Sequence, residues 1–533
     1  MTYLYSVSET RQLEALHLKS HPEQSLMQWA GEAVAALAVS VIAKNKLEKS
    51  VLVIAGPGNN GGDAWVAARA LQTKKIKVRV WQIGVQKHAD PASKEAQTAY
   101  IAADGIVVSS TRETGRNAAR TLESKPAFGI IIDGIFGLGL SKPPAGEFRD
   151  AIRFANEQCK NSATQILAID IPSGLSADTG VAFADTINAD ATITFLGAKP
   201  GLYTADGTDH CGKIYIDTLT ANLPASNAKL LTEADMAELI PRRRNNTHKG
   251  TYGNVGIIGG AKGMVGAAVL AARAALHMGP GKVFMGLIAT DAMAFDAINP
   301  EIMVRHAGNI ARDKDISAYA IGMGGGIGKE NAKAVKALLA EVLASGKPVL
   351  IDADALEFVK IKNAKALTGQ PLKAKKAENN RPAQTLNKHP VLTPHPGEAA
   401  RLLNLTTAAV QADRVNAAIS IAQRAKAIVV LKGAGTVIAT PGGNYFINTS
   451  GNPGMASGGM GDALSGMIAA FLAQGLTPLD AAKLGVYLHG AAADCATHHG
   501  MGPHGITASE VIFEARTLLN SGLRDEHDHD HED

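Results

Sequence analysis

Acidic residues recur in this chain where an apolar run gives way to a glycine-rich turn. Such a turn brings a carboxylate and free backbone N–H groups to one point. In the first half, VLVIA (51–55) leads straight into GPGNNGGD, Gly56 to Asp63. Gly56, Gly58 and Gly61 match the GxGxxG spacing that lets a backbone approach a pyrophosphate at a helix N-terminus. An ordinary dinucleotide site places an acid at the end of the following strand. That strand is VRVWQI (78–83), with Gln82 and no acid, which argues against a hydride-transferring dehydrogenase. The loop is either a tight strand-to-helix turn or a ligand loop, and Asn59 and Asn60 ahead of Asp63 favour the ligand. Asp133 ends GIIID and opens DGIFGLGLSKP; Asp170 ends QILAID and opens DIPSG, with Ser173 beside Gly174. One strand-end Asp is often a helix cap. Two of them, in strands of one parallel sheet, point to a shared crevice beyond the carboxyl ends. Their oxygens, with those of Asn60 and Ser173, could also hold a hard cation.

In the second half, AIVVL (427–431) runs into KGAGT, Lys432 to Thr436. Further on, NTSGNPGMASGGMGDALSG (448–466) precedes an apolar helix beginning at Asp462. Gly458, Gly459 and Gly461 leave backbone N–H groups at that helix start able to cradle an anion. Asp462 is then a cap or, as in the GxGD loop of ribokinase-like enzymes, a base beside a transferred phosphate. No GxxxxGK[ST] loop occurs. TPHPGE holds His395 between Pro394 and Pro396, a rigid turn. VLIDADAL places Asp352 and Asp354 two apart on one side of a strand end, for a magnesium-phosphate site or for a helix cap.

The elements that must position these residues alternate strand with helix. In the first half the strands are 51–55, 78–83, 129–133, 165–170 and 191–196; in the second, 253–260, 283–288, 319–323, 349–354 and 427–433. Between the halves lies PRRRNNTHK, a polar, basic break. Two α/β domains in series follow, residues 1–225 and 226–524, the second with a lysine-rich insertion at 361–389. The tail 525–533, DEHDHDHED, reads as a solvated end that could bind metal weakly. Of 533 residues, 46% are hydrophobic and 19% charged, which excludes a wholly disordered chain. A net charge of +4 and 5% aromatics give no basis for nucleic-acid binding. The three cysteines are far apart with no CxxC, so neither a disulfide framework nor a structural zinc site is expected, and a reducing cytoplasm fits. The N-terminus does not read as a signal peptide, and no uninterrupted apolar run reaches about 18 residues, so no membrane span is expected.

GPGNNGGD, DGIFGLGL and DIPSG, in this order and spacing, resemble the NAD(P)HX epimerase domain over roughly residues 1–225. The resemblance implies a Rossmann-like fold that interconverts the R and S epimers of hydrated NAD(P)H, whose ring carries a hydroxyl at C6. It implies substrate contacts from Asn59, Asn60, Gly61, Gly62, Asp63, Gly137, Leu138, Gly139, Leu140, Ser141, Lys142, Pro143 and Asp170. Asp170 would be the acid/base, and Asn60, Asp133 and Ser173 would bind potassium. Ala64 stands where the family often has Gly.

HKGxxG (248–253), DADAL, TPHPGE, KGAGT and SGGMGD together resemble the ADP-dependent NAD(P)HX dehydratase domain over roughly residues 226–520. This implies a ribokinase-like fold that uses ADP, with Mg2+, to convert S-NAD(P)HX to NAD(P)H, AMP and phosphate. By that resemblance Ala267, Gly328, His395 and Asp462 touch the hydrated cofactor, and Lys432, Gly433, Ala434, Gly435, Thr436 and Gly461 hold the adenine nucleotide. GMGGGIG replaces the usual GPGLG, which leaves the register of that glycine loop open. The expectation is a cytoplasmic, homo-oligomeric repair enzyme acting on NADHX and NADPHX, with no nucleic-acid or membrane partner. The alternatives are a ribokinase-like small-molecule kinase fused to a Rossmann-like ligand-binding module, or a first half that only docks a partner.

Overall fold

The computed structural model describes residues 2–20, 25–85, 91–110, 128–326, 328–361 and 389–523. Nearly all of the lysine-rich insertion and the whole acidic tail lie outside these residues. Two compact units divide the chain, Thr2–Ser226 and the part from Asn227 onward.

The first unit is built on a seven-stranded sheet. Its strands are β1 (Ser50–Ala55), β2 (Lys77–Ile83), β3 (Ile106–Ser110), β4 (Ile130–Gly134), β5 (Gln165–Ile169), β6 (Ala191–Phe195) and β7 (Lys213–Asp217). They lie in the order β3-β2-β1-β4-β5-β6-β7, parallel throughout. β1 and β4 read as continuous apolar runs because both faces of these central strands are buried. The helices are α1 (Val7–Ser20), α2 (Leu26–Lys44), α3 (Asn59–Thr73), α4 (Pro91–Ala102) and α5 (Glu147–Asn161). By length and composition α2 could cross a membrane. Its residues Ala30, Val34, Ala35, Ala38 and Ile42 are instead part of the core. It packs so closely on α3 that a Cβ at Gly31 would fall 2.4 Å from the Cβ of Val66. Chain order reverses between β1 and β4, and the crevice of a doubly wound sheet opens at that switch point.

The second unit contains β8 (Ala228–Leu230), β9 (Asn254–Gly259), β10 (Lys282–Leu287), β11 (Met303–His306), β12 (Ala318–Ile321), β13 (Val349–Ile351), β14 (Val391–Leu392), β15 (Ile428–Leu431), β16 (Val437–Ala439) and β17 (Tyr445–Ile447). The order is β8-β17-β16-β15-β14-β13-β12-β9-β10-β11. Strands β11 through β15 run parallel; β16 is antiparallel to both β15 and β17. Its helices include α6 (Val265–His277), α7 (Lys329–Ala344), α8 (Pro396–Leu403), α9 (Arg414–Ala425), α10 (Met460–Ala473), α11 (Pro478–His498) and α12 (Ala508–Asn520). α10 is apolar all round, and every residue from Ala463 to Ala473 is buried. A Cβ at its Gly466 would lie 2.0 Å from the Ala271 carbonyl oxygen of α6, so the two backbones touch. This helix carries Asp462 at its first turn, and its burial gives that residue a rigid base.

Candidate active sites

In the first unit the loops after β1, β4 and β5 converge, as the strand-end acids predict. Gly56 N–H donates to Gly134 O at 3.0 Å. A Cβ at Gly61 would lie 1.9 Å from Gly56 O, so α3 starts directly against the loop. Asn60 joins all three loops: its Nδ2 donates to Phe136 O at 2.9 Å and to Ile169 O at 3.0 Å.

Asp133 is fully buried. Its Oδ1 accepts from Ser173 Oγ at 2.7 Å and Ile135 N at 3.2 Å, and its Oδ2 from Ser173 N at 2.8 Å. Burial pushes its carboxyl up to about 6 despite these bonds.

Asp170 follows β5 in the left-handed region at φ +62°, a conformation that costs a non-glycine residue energy and that the surroundings must hold. Its Oδ1 accepts from Lys199 Nζ at 2.8 Å and Thr194 Oγ1 at 3.0 Å. Lys199 is wholly buried and also donates to Thr194 Oγ1 at 2.9 Å and Phe195 O at 2.5 Å. The other oxygen, Oδ2, faces Gly137: a Cβ there would sit 3.5 Å from it and 3.1 Å from Asn60 Oδ1. Both side-chain oxygens therefore look onto the same gap.

A cavity of about 720 Å³ opens above them, lined by Asn59, Asn60, Asp63, Gly137, Leu138, Gly139, Leu140 and Asp170. Gly61 and Gly62 lie buried beneath it, and Ser141, Lys142 and Pro143 are exposed outside its lining. Lys199 and the α1 residues Arg11 and Glu14 also line it. Burial raises the Glu14 carboxyl, Asp170 adds to this, and Lys199 and Arg11 oppose it. Glu14 lies far from the motifs in sequence. Lys199 had one visible signal, a lone lysine just past the apolar strand ATITF.

In the second unit Asp352 links three elements. At the end of β13 it accepts from Lys432 Nζ at 2.8 Å through Oδ1 and from Ser465 Oγ of α10 at 2.7 Å through Oδ2. Asp352 makes no cap bond and is committed to Lys432, while Asp354 Oδ2 accepts from Gly326 N at 2.9 Å and pins the glycine loop. Burial alone would lower the Lys432 ammonium, but Asp352, Glu398 and Asp462 outweigh it and raise it. A Cβ at Gly461 would sit 3.3 Å from Lys432 Nζ, which places the first turn of α10 against the ammonium.

The chain enters α10 through Gly459 at φ +89° with no side-chain cap. Asp462 is thus not a cap. Burial, and then Asp352, push its carboxyl up to about 6 against the pull of Lys432. Lys432 N–H donates to Pro394 O at 3.0 Å, so KGAGT lies beside TPHPGE. His395 is the N-cap of α8. Its Nδ1 accepts from Gly397 N at 3.0 Å, and its own N–H donates to Glu398 Oε2 at 2.8 Å. An accepting Nδ1 leaves the ring proton on Nε2.

Gly433 (φ +134°) and Gly435 (φ +59°) take backbone shapes that side chains resist. Beneath them the buried Arg414 donates to the Leu431 and Lys432 carbonyl oxygens, both at 3.3 Å. Ala267 meets the glycine loop at Gly324, where a Cβ would be 3.0 Å from its own. Gly328 is exposed at the start of α7. His489 of α11 escaped the sequence reading. It is buried, its Nε2 has no hydrogen-bond partner among the described residues, and burial with nearby Lys432 lowers it to about 4.

Residues 255–513 match the family described as NAD(P)H-hydrate dehydratase, and residues 23–201 match the YjeF-related protein N-terminus. The bifunctional NAD(P)H-hydrate repair enzyme Nnr of Coxiella burnetii is 33% identical over 528 residues, covering 98% of this chain and 100% of that protein. The chain belongs to the bifunctional NAD(P)H-hydrate repair enzymes. The Escherichia coli member is 34% identical over 479 residues, 89% of this chain and 86% of its own. Among solved structures, the ADP/ATP-dependent NAD(P)H-hydrate dehydratase of Bacillus subtilis, co-crystallised with ATP/Mg2+, is 30% identical. It covers 56% of this chain and 100% of its own, with a TM-score of 0.46. The chain is thus an NAD(P)H-hydrate repair enzyme with an epimerase unit followed by a dehydratase unit, and both are α/β domains, the first sheet parallel and the second mostly so. The family match over residues 255–513 and the full-length relatives carry the dehydratase reading of the second half over the kinase one.

Proposed function

We propose that the cavity over Asp170 binds the hydrated nicotinamide ring and that Asp170 moves the proton of the C6 hydroxyl during epimerisation. The observation that carries this is the division of labour in its carboxyl. Oδ1 is tied to Lys199 and Thr194, while Oδ2 faces the gap shared with Asn60 and Gly137. Lys199 and Thr194 hold the carboxyl in one orientation, with Oδ2 placed to take up and return a proton. In this reading the epimerase occupies 1–225 and the dehydratase 226–524.

The donor set around Asp133 fits a monovalent cation. A fully buried carboxylate with hydroxyl and amide partners but no described basic one needs a compensating charge. Asp133, Ser173 and the Asn60 side chain would hold K+. Bound there, K+ supplies positive charge that keeps Asp133 ionised and the three loops together.

In the second unit Lys432 to Thr436 and Gly461 hold the phosphates of ADP, bound with Mg2+, beside the Lys432 ammonium. Ala267, Gly328, His395 and Asp462 contact the S epimer. Water is a poor leaving group from C6. Phosphoryl transfer from ADP to that oxygen gives AMP and a good leaving group, with Asp462 accepting the hydroxyl proton. Loss of phosphate from C6 and of a proton from C5 restores the reduced nicotinamide.

The test is an R/S mixture of NADHX with ADP, Mg2+ and K+, followed by absorbance of the reduced nicotinamide. Complete conversion is expected. A halt once the S form is spent would refute the epimerase assignment, and activity with ATP but not ADP would refute the choice of nucleotide.

A further inference from the structure

The end of α11 carries a cluster that neither reaction uses. Cys495 Sγ lies 3.8 Å from His499 Nδ1 and 3.5 Å from Glu514 Oε2, and His499 Nδ1 lies 3.6 Å from Glu514 Oε1. These atoms lie within 4.8 Å of one another. Zinc bonds of about 2.3 Å to sulfur and about 2.0–2.2 Å to nitrogen or oxygen, at tetrahedral angles, put ligand atoms about 3.3–3.7 Å apart. The two short contacts to Glu514 use different carboxylate oxygens, so with one oxygen the triangle, within 4.8 Å, is wider than one face of a zinc tetrahedron, and small side-chain shifts would close it.

We propose that Cys495, His499 and Glu514 form a divalent transition-metal site, suited to Zn2+, that ties the end of α11 to α12.

Three observations converge on it. Cys495 lies in the last turn of α11 and His499, four residues on, directly follows the helix, and both contact Glu514 of α12. Thiolate, imidazole and one carboxylate form a donor set for a borderline ion and not for Mg2+ or Ca2+, which take oxygen ligands. The Glu514 carboxyl is buried, and its partners are the Cys495 sulfur and the His499 ring, neither of which carries a permanent positive charge.

Cys495 and Glu514 are buried while His499 is exposed. Binding displaces the thiol proton to solvent, so affinity rises with pH. The absence of a CxxC pair excludes a common zinc motif but not this one, because its third ligand comes from another helix. The site also braces the dehydratase loop. Asp494, next to Cys495, accepts from Gly451 N at 2.7 Å and from Asn452 Nδ2 at 2.9 Å, and that loop runs on to Asp462.

Co2+ is the probe, titrated into the metal-free full-length chain. A thiolate-to-cobalt charge-transfer band saturating at one equivalent, with the visible bands of a tetrahedral ion, is expected. Cys495→Ser should abolish the charge-transfer band, and His499→Gln, at an exposed position, should weaken binding at least tenfold without unfolding the chain. A variant ending at Arg524 should keep the band, since the histidine-rich tail has no thiol. Zn2+ should displace Co2+ and raise Tm in the parent but not in Cys495→Ser. Absence of the thiolate band in the parent chain, or its persistence in Cys495→Ser, overturns the proposal.

Discussion

Lys199 and Asp170 form a pair whose members cannot be removed singly at low cost. Lys199 is wholly buried and donates to Asp170, Thr194 and Phe195. Truncating one partner of a buried pair leaves the other charge uncompensated, at about 3–5 kcal/mol. Lys199→Met should therefore destabilise the first unit by about 3 kcal/mol in urea unfolding and abolish epimerisation. Asp170→Asn, which keeps the shape, should abolish epimerisation with a smaller stability loss, and the double variant should lose less than the sum.

Asp462 allows a pH test. Its carboxyl is pushed up to about 6, and it acts as a base only when ionised. Dehydratase kcat/KM should thus fall about tenfold per pH unit below about 6 and level off above it. Asp462→Asn should remove most of the activity and this limb of the profile together. A profile flat down to pH 4.5 in the parent would remove Asp462 from the base role. At this scale the sequence showed strand-end acids and helix-start glycines, because backbone geometry restricts what can stand there. It showed little of Lys199, Glu14 or His489, whose surroundings come from residues distant in the chain.

Most central strands of the two sheets were legible, because strands buried on both faces need unbroken apolar runs. β3 and β7 were missed at the sheet edges, where polar residues dilute the pattern. So were β14, only Val391–Leu392, and β16 and β17, which are three residues each and too short to show a period. The convergence of three loops was legible as well, since parallel strands must end on one side. What holds the loops together is Asn60 and Asp133, and this leads to a prediction about the cation.

The ordinary carboxyl value of Asp133 is 3.8, and burial raises it to about 6 in the folded chain. Between those values the folded state binds more protons than the unfolded one. Stability of the first unit is therefore lost as pH rises from about 4 through 6, by up to roughly 3 kcal/mol for a shift of about two units. K+ bound to the ionised carboxylate would offset this. Tm of the first unit should rise on replacing tetramethylammonium chloride with KCl at pH 8, much less at pH 5, and not at all in Asp133→Asn. An equal rise at both pH values would exclude Asp133 as a ligand.

Two active sites on one chain need not be obliged to pass material directly. Each unit has its own sheet, core and candidate site, and each proposed proton carrier belongs to one reaction only. Asp170→Asn should consume the S form with ADP and then slow to the spontaneous rate of epimerisation. Asp462→Asn should equilibrate R and S while forming no reduced nicotinamide. Neither defect touches the other crevice, so the two variants mixed in one tube should convert an R/S mixture completely, provided the S epimer leaves the first unit before the second binds it. Chromatographic separation of the epimers, with reduced-nicotinamide absorbance, follows both steps. Full recovery in the mixture would assign the fusion to co-production of two enzymes. Recovery limited to the single-variant rate would mean that the epimer passes between units of the same molecule without mixing with solvent.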